Sequence, residues 1–287
     1  MSDILKKNGF SFQKKYGQNF LQDVKIPRRI AAECSEYEKN PDGKIRAHIL
    51  EIGPGAGILT KELAAIFEKV TAVEIDTSLE PVLKESLVEC DNTEVVFGDI
   101  METDIVKLLE EKRVASDGKV LPVSVCANLP YYITTPILMK LVEEYSDFDY
   151  ITVMVQKEVA TRLTSAPGSA EYGSITASLN LYGTVKRLFT VPSGCFFPRP
   201  KVDSAVIRIA LHKPAKYTAE QIDKTSKVIK AAFSVRRKTL VNGLMSMPGA
   251  DKEKIISVVE ETFGNATVRG ETLSAEQFVK LAENLGK

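Results

Sequence analysis

Ile49-Leu50-Glu51-Ile52-Gly53-Pro54-Gly55-Ala56-Gly57-Ile58-Leu59-Thr60 reads as a short buried strand, a glycine turn and a helix that starts near Ile58. Glycine admits positive φ and lets backbone approach a ligand closely. The spacing is Gly-x-Gly-x-Gly. Ile58 stands where the dinucleotide fingerprint Gly-x-Gly-x-x-Gly has its last glycine. Pro54 removes an N–H that a pyrophosphate would take. No Lys-Ser/Thr pair follows, so the turn is not a triphosphate loop either. A cofactor without phosphates suits it, and S-adenosylmethionine meets that description.

Working outward, the next strand is Val70-Thr71-Ala72-Val73-Glu74-Ile75-Asp76. Glu74 falls about 20 residues past the loop, where a βαβ unit places its ribose-binding carboxylate. A third strand, Thr93-Glu94-Val95-Val96-Phe97, leads into Gly98-Asp99-Ile100, and Asp99 is placed to accept from an adenine amino group. A fourth apolar run, Val120–Ala127, opens into Asn128-Leu129-Pro130-Tyr131. The Asn128 amide oxygen and the Leu129 carbonyl beside it can accept two hydrogen bonds from one amino group. Tyr131 can lie against the ring that carries that group. Each of these residues alone is an ordinary loop residue. Successive strands that each end in a suitable polar group mark the carboxyl edge of an open α/β sheet, where such sheets bind ligands.

The chain has 287 residues, 44% apolar and 26% charged, with zero formal net charge. That length holds a large α/β domain and a small second one. No apolar run approaches the roughly 20 residues that span a bilayer. The start, Met1-Ser2-Asp3-Ile4-Leu5-Lys6-Lys7-Asn8, lacks a signal-peptide core, so a cytoplasmic location without membrane attachment is expected. Cys34, Cys90, Cys126 and Cys195 are scattered without metal-type spacing, so reduced packing thiols and no metal are expected. His48, inside a strand, and His212, at a domain edge, read as structural. Basic residues gather in residues 1–30 and 184–240, while acids concentrate between Lys84 and Asp117. Such segregation can make a basic face on a neutral protein.

Strand and helix patterns alternate from His48 to about Val191, which implies a mostly parallel sheet with helices on both faces. Strands at Thr184–Val191 and Ser204–Leu211 close it, separated by the stiff, proline-rich stretch 192–203. Helices are expected near 219–233, 236–245, 251–263 and 274–284. The expected division is an arm over 1–30, a sheet domain over 31–212 and an all-helical domain over 213–287.

Five segments in order resemble the ribosomal RNA adenine dimethyltransferases, most closely their bacterial small-subunit branch. They are Gly17-Gln18-Asn19-Phe20-Leu21, Glu51-Ile52-Gly53-Pro54-Gly55, Asn128-Leu129-Pro130-Tyr131-Tyr132, Phe196–Ser204 and Phe233–Leu240. The resemblance spans nearly the whole chain. It implies a Rossmann-like class I methyltransferase sheet with a small C-terminal helical domain. It implies S-adenosylmethionine as donor, with Asn19, Leu21, Gly53, Gly55, Glu74, Asp99 and Asn128 around it. The implied reaction transfers four methyl groups to two adjacent adenosines near the 3′ end of 16S rRNA, with a role in small-subunit biogenesis.

By the same resemblance Asn128, Leu129, Pro130, Tyr131 and Phe196 form the catalytic set. Tyr131 and Phe196 would sandwich the target base and Phe197 would be packing. Arg199, Lys201, Arg236, Arg237 and Lys238 are expected on RNA, and the protein is expected to be a monomer. One rival is the erythromycin-resistance type of large-subunit rRNA methyltransferase, whose members tend to be strongly basic where this chain is neutral. Another is a non-catalytic RNA-binding assembly factor on the same scaffold, which would need neither Asn128 nor the glycine loop. A nicotinamide oxidoreductase is disfavoured by Ile58.

Overall fold

The computed structural model describes all residues except 1, 11–12, 14–17, 41–42, 116, 146, 236–237 and 287. Gly17, Arg236 and Arg237 therefore lie outside the described residues. The chain begins with α1 (Ser2–Lys7), β1 (Phe20–Leu21) and α2 (Lys25–Ala32). It continues through β2 (Ile45–Ile52), α3 (Ile58–Ile66), β3 (Phe67–Glu74), α4 (Glu80–Ser86), β4 (Thr93–Phe97) and α5 (Ile105–Lys112). Then come β5 (Val123–Asn128), α6 (Thr134–Glu144), β6 (Phe148–Gln156), α7 (Lys157–Leu163), α8 (Ser174–Tyr182) and β7 (Gly183–Val191). The short β8 (Phe196–Phe197) precedes β9 (Ser204–Leu211). Last are α9 (Ala219–Ala232), α10 (Leu240–Leu244), α11 (Lys252–Phe263) and α12 (Ala275–Leu285).

Seven strands form one sheet in the order β4-β3-β2-β5-β6-β9-β7. The first five are parallel, and β9 runs antiparallel to β6. Ile49, Leu50, Val70, Val125 and Val153 are completely buried. Continuous burial along a strand is what covering on both faces requires, and it is why these strands read as apolar runs rather than alternations. From β2 the chain moves outward to β3 and β4, then returns to β5 on the other side of β2. That reversal is a topological switch point, and the loops leaving β2 and β5 diverge there. Register pairs Ile52 with Ala127, which sets the Gly53 turn beside Asn128.

The contacts divide the described chain into two compact units, Met1–Ala160 with Lys186–Leu211, and Thr161–Val185 with His212–Lys287. The first thirty residues thus belong with the sheet, where Ile30 is fully buried, and Thr161–Val185 belongs with the C-terminal helices. In the helical unit α8 to α12 enclose Leu181, Leu240, Leu244, Val259 and Phe278. Reciprocal capping boxes start α9 at Thr218–Gln221 and α12 at Ser274–Gln277. Asp251 caps α11, which ends on Gly264 at φ 72°.

The helix expected over 236–245 is only Leu240–Leu244. Ser234 Oγ donates to the Ala231 carbonyl and Lys238 N to the Val235 carbonyl, so a turn follows α9. The Leu240 N–H is taken by the Val268 carbonyl, which excludes a helical partner upstream. Lys238 is exposed in the bend before α10.

Gly243 shows how closely α9 and α10 approach. A Cβ there would stand 2.8 Å from the Ala231 carbonyl oxygen and 3.0 Å from Ala232 Cα. Both are backbone atoms that cannot swing away. Gly243→Ala is expected to destabilise the protein by about 1–3 kcal/mol despite alanine's better helix propensity. Urea unfolding checks this, and an unchanged or raised midpoint would contradict the packing described.

Candidate functional site

A cleft opens at the carboxyl edge of β2, β3 and β5. It is lined by Gln18, Asn19, Phe20 and Leu21 from the N-terminal segment, Glu51 and the Gly53–Ala56 turn, Glu74 and Ile75, and Asn128–Tyr131. Four of the five expected motif segments are described in the sheet unit, and three of them meet here.

Gly53, Gly55 and Gly57 all have positive φ, at 70°, 58° and 79°. A Cβ on Gly55 would stand 2.5 Å from the Phe20 ring, whereas one on Gly53 would meet nothing within 4 Å. The Gly53 backbone therefore borders open space, as a cradle for a ligand requires. Glu74 is 4% exposed, and both its oxygens are held by main chain. Oε2 accepts from Gly55 N at 3.0 Å and Oε1 from Asp76 N at 2.9 Å. Burial raises its pKa, while N–H groups of Asp76, Gly55 and Ile75 pull the other way. The carboxylate is thus fixed in direction, with lone pairs remaining for a diol.

Glu51 is a site residue that the sequence reading quoted but gave no role. Its signal was a charge inside the apolar run Ile49-Leu50-Glu51-Ile52. It is 1% exposed, lines the cleft, and its Oε2 has no hydrogen-bond partner. Burial pushes the carboxyl up to about 8. The Thr60 hydroxyl, short of a well-formed hydrogen bond, offsets only part of this. An incompletely partnered buried carboxyl beside a glycine cradle, with a fixed carboxylate one strand away, suits a ligand with an ammonium group at one end, which would draw off its proton, and a ribose at the other. S-adenosylmethionine has both.

Asn128 Nδ2 donates to the Asn19 carbonyl at 3.0 Å. A carbonyl can only accept, so this contact fixes the amide rotamer and leaves Oδ1 as the acceptor. Leu129 N donates to the Met154 carbonyl, and Thr134 Oγ1 donates to the Pro130 carbonyl at 3.1 Å. Leu129's own carbonyl is left as the neighbouring acceptor. Tyr131 Oη meets Ser204 Oγ at 2.8 Å, which ties the ring to the start of β9. Gln18 Nε2 donates to Asp76 Oδ2 at 2.7 Å, so the segment carrying Asn19 is anchored at the end of β3 as well.

Asp99 is not among the residues that line this cleft, and its Oδ1 accepts from Met101 N in the turn after β4. Phe196 is 3% exposed, whereas Phe197 is 48% exposed, the reverse of the expected roles. The cause is the β1–β8 ribbon, which pairs Leu21 with Phe196 and Phe20 with Phe197. Phe196 falls on the inner face, packed with Leu21, Ile30, Met154 and Val206. Arg199 and Lys201 are exposed beyond β8, with Arg199 Nε donating to Ser193 Oγ at 3.1 Å. His48 is fully buried between strands, with Nε2 2.9 Å from Thr71 Oγ1, and burial lowers its pKa to about 3. Among the described residues no group of His, Cys, Asp or Glu could hold a metal, and no helix is long and apolar enough to cross a membrane.

The family description "Ribosomal RNA adenine dimethylase" matches residues 9–287. A protein of Lachnoclostridium phytofermentans named ribosomal RNA small subunit methyltransferase A is 44% identical over 98% of this chain and 94% of its own length. One of the same name from Bacillus licheniformis is 42% identical over 99% of this chain and 94% of its own. Among solved structures, a dimethyladenosine transferase from Plasmodium falciparum superposes with TM-score 0.71 at 25% identity, covering 91% of this chain and 95% of that one. The 23S rRNA methyltransferase ErmE gives TM-score 0.68 at 24% identity over 93% of this chain and all of its own, a likeness of fold.

Glu51 generates a pH-dependent prediction. Its carboxyl titrates near the ordinary 4.5 when unfolded and near 8 when folded. The folded state therefore holds the extra proton between those values. Stability from this group is complete below about pH 4.5 and is lost as pH rises towards 8. Glu51→Gln removes the loss. Without ligand, it is expected to stabilise the protein more at pH 8 than at pH 5, by on the order of a few kcal/mol. Chemical unfolding at both values checks it, and an equal effect at the two would show that Glu51 does not titrate in this range.

Proposed function

The chain belongs to the ribosomal RNA adenine dimethylase family, and on that premise we propose that it dimethylates the exocyclic amines of two adjacent adenosines near the 3′ end of small-subunit rRNA, as a step in small-subunit biogenesis. It is a methyltransferase whose donor is S-adenosylmethionine. The observation that carries the proposal is the fixed Asn128 amide, with its oxygen left as an acceptor beside the Leu129 carbonyl. Names of relatives at 44% and 42% identity support the small-subunit substrate over the large-subunit one, as does the neutral overall charge.

The bound donor supplies a methyl group on a sulfonium, which is a good leaving group. Everything else is positioning by the chain. Adenine's amino nitrogen is a poor nucleophile because its lone pair is delocalised into the ring. Asn128 Oδ1 and the Leu129 carbonyl accept its two protons, draw the nitrogen towards a tetrahedral shape and localise that lone pair. Tyr131, tethered through Ser204, supports the ring, and Pro130 stiffens the loop between them. The nitrogen becomes acidic only after alkylation and then gives its proton to water, so no general base precedes attack. Glu74 would receive the ribose hydroxyls of the donor, Glu51 its ammonium, and the Gly53 backbone the rest of it. Holding both reactants in line contributes up to about 7–11 kcal/mol in favourable cases. The sheet unit carries this chemistry, and Lys238 with Arg236 and Arg237 of the helical unit contributes RNA phosphate contacts.

Asn128→Ala is expected to abolish turnover while leaving donor binding nearly intact, because the amine contact strengthens only towards the transition state. Single-turnover methylation of under-methylated small subunits, beside calorimetry of donor binding, tests it. Activity within about tenfold of wild type would remove Asn128 from the chemistry. Replacing Arg236, Arg237 and Lys238 together with Ala is expected to weaken subunit binding and flatten its salt dependence without altering donor affinity. A salt slope equal to that of wild type would move the RNA contacts to other basic residues.

A further inference from the structure

We propose that Tyr132 and Phe197 form an outer stacking face at the cleft rim, which holds the nucleotide next to the adenosine being methylated. The inference rests on the rRNA reading above and assigns residues to its substrate side. Large hydrophobic residues are mostly buried in this fold, and among the described residues only three aromatic side chains are strongly exposed: Tyr37, Tyr132 and Phe197. Tyr132 is 63% exposed and directly follows Tyr131, which lines the cleft. Phe197 is the cross-strand partner of Phe20, which also lines it. Each exposed ring is therefore one position removed from a cleft-lining aromatic, and the two stand on separate elements of the rim.

Tyr131 Oη on Ser204 Oγ fixes the loop that carries Tyr132. The segment after Phe197 is clamped by Ser193 N donating to Asp203 Oδ1 at 3.0 Å and Lys157 N donating to the Asp203 carbonyl. Successive residues of a strand face opposite ways, so packing Phe196 into the core turns Phe197 out. Exposed Arg199 and Lys201 follow within four residues and supply phosphate partners. Aromatic faces interleaved with cations are the chemistry that binds single-stranded nucleic acid. A strand that lowers one of two adjacent adenosines into the cleft leaves the other at the rim, where these rings can stack on it.

The chain contains no tryptophan, so Tyr132→Trp and Phe197→Trp each create a single tryptophan, whose emission is read apart from that of the tyrosines. Under-methylated small subunits are expected to quench both, and large subunits neither. Tyr132→Ala and Phe197→Ala are each expected to raise KM for small subunits roughly 5- to 100-fold. Donor affinity should stay unchanged, and Tyr132→Phe should restore KM. Phe197→Leu keeps an apolar side chain in the β1–β8 ribbon without a stacking face, so it should reproduce the Phe197→Ala defect if that variant folds poorly. Wild-type methylation with unquenched tryptophans and KM values within about twofold would overturn the assignment. Failure of wild type to methylate small subunits would instead overturn the reading on which it rests.

Discussion

Parallel pairing of β2 with β5 is the constraint from which the rest of the site follows. The two strands are separated in sequence by the whole β3–β4 excursion, yet they lie side by side with Ile52 opposite Ala127. One register step sets the glycine turn against the asparagine loop. A slip would carry every side chain of β5 to the wrong face. Complete burial of Ile49, Leu50, Val125 and Cys126 makes such a slip costly. The core therefore does more than stabilise the sheet. It fixes how far the glycine turn stands from the asparagine loop.

Around this pair Glu74 and Asn128 are held by main chain rather than by other side chains. Glu74 takes N–H groups from Gly55 and Asp76, and Asn128 donates to the Asn19 carbonyl. Backbone partners have little freedom to rearrange, so both side chains are held in one orientation. Glu51 is the exception. It is buried and incompletely partnered, and it holds its proton until about pH 8. Ionising this carboxyl in the empty protein costs stability as pH rises towards 8.

Much of the arrangement was legible because the decisive residues sit at strand ends. The glycine turn, Glu74 and Asn128 combine an apolar run with a polar terminus, and both halves of that signal survive in one sequence. Asp99 carries the same signal as Glu74, and one of its oxygens accepts from Met101 N in its own turn, away from the residues that line the cleft. Nothing in the spacing separates those outcomes. Phe196 and Phe197 were misordered for a different reason. Which one faces inward is set by pairing with Phe20 and Leu21, far away in sequence, and a two-residue strand carries no alternation to read. The late start of α10 has the same origin, since the Val268 carbonyl claims the Leu240 N–H.

The β1–β8 ribbon also bears on when the site can come into being. Phe20 and Leu21 leave the ribosome early, but their partners Phe197 and Phe196 are made near the end of the sheet unit. Asn19, whose carbonyl turns the Asn128 amide, lies in the residue just before that ribbon. During synthesis the N-terminal segment must wait, unpaired, until most of the chain has emerged. The enzyme's first translated site residues are thus among the last to be placed, and a nascent chain with a complete glycine turn still lacks an aimed asparagine.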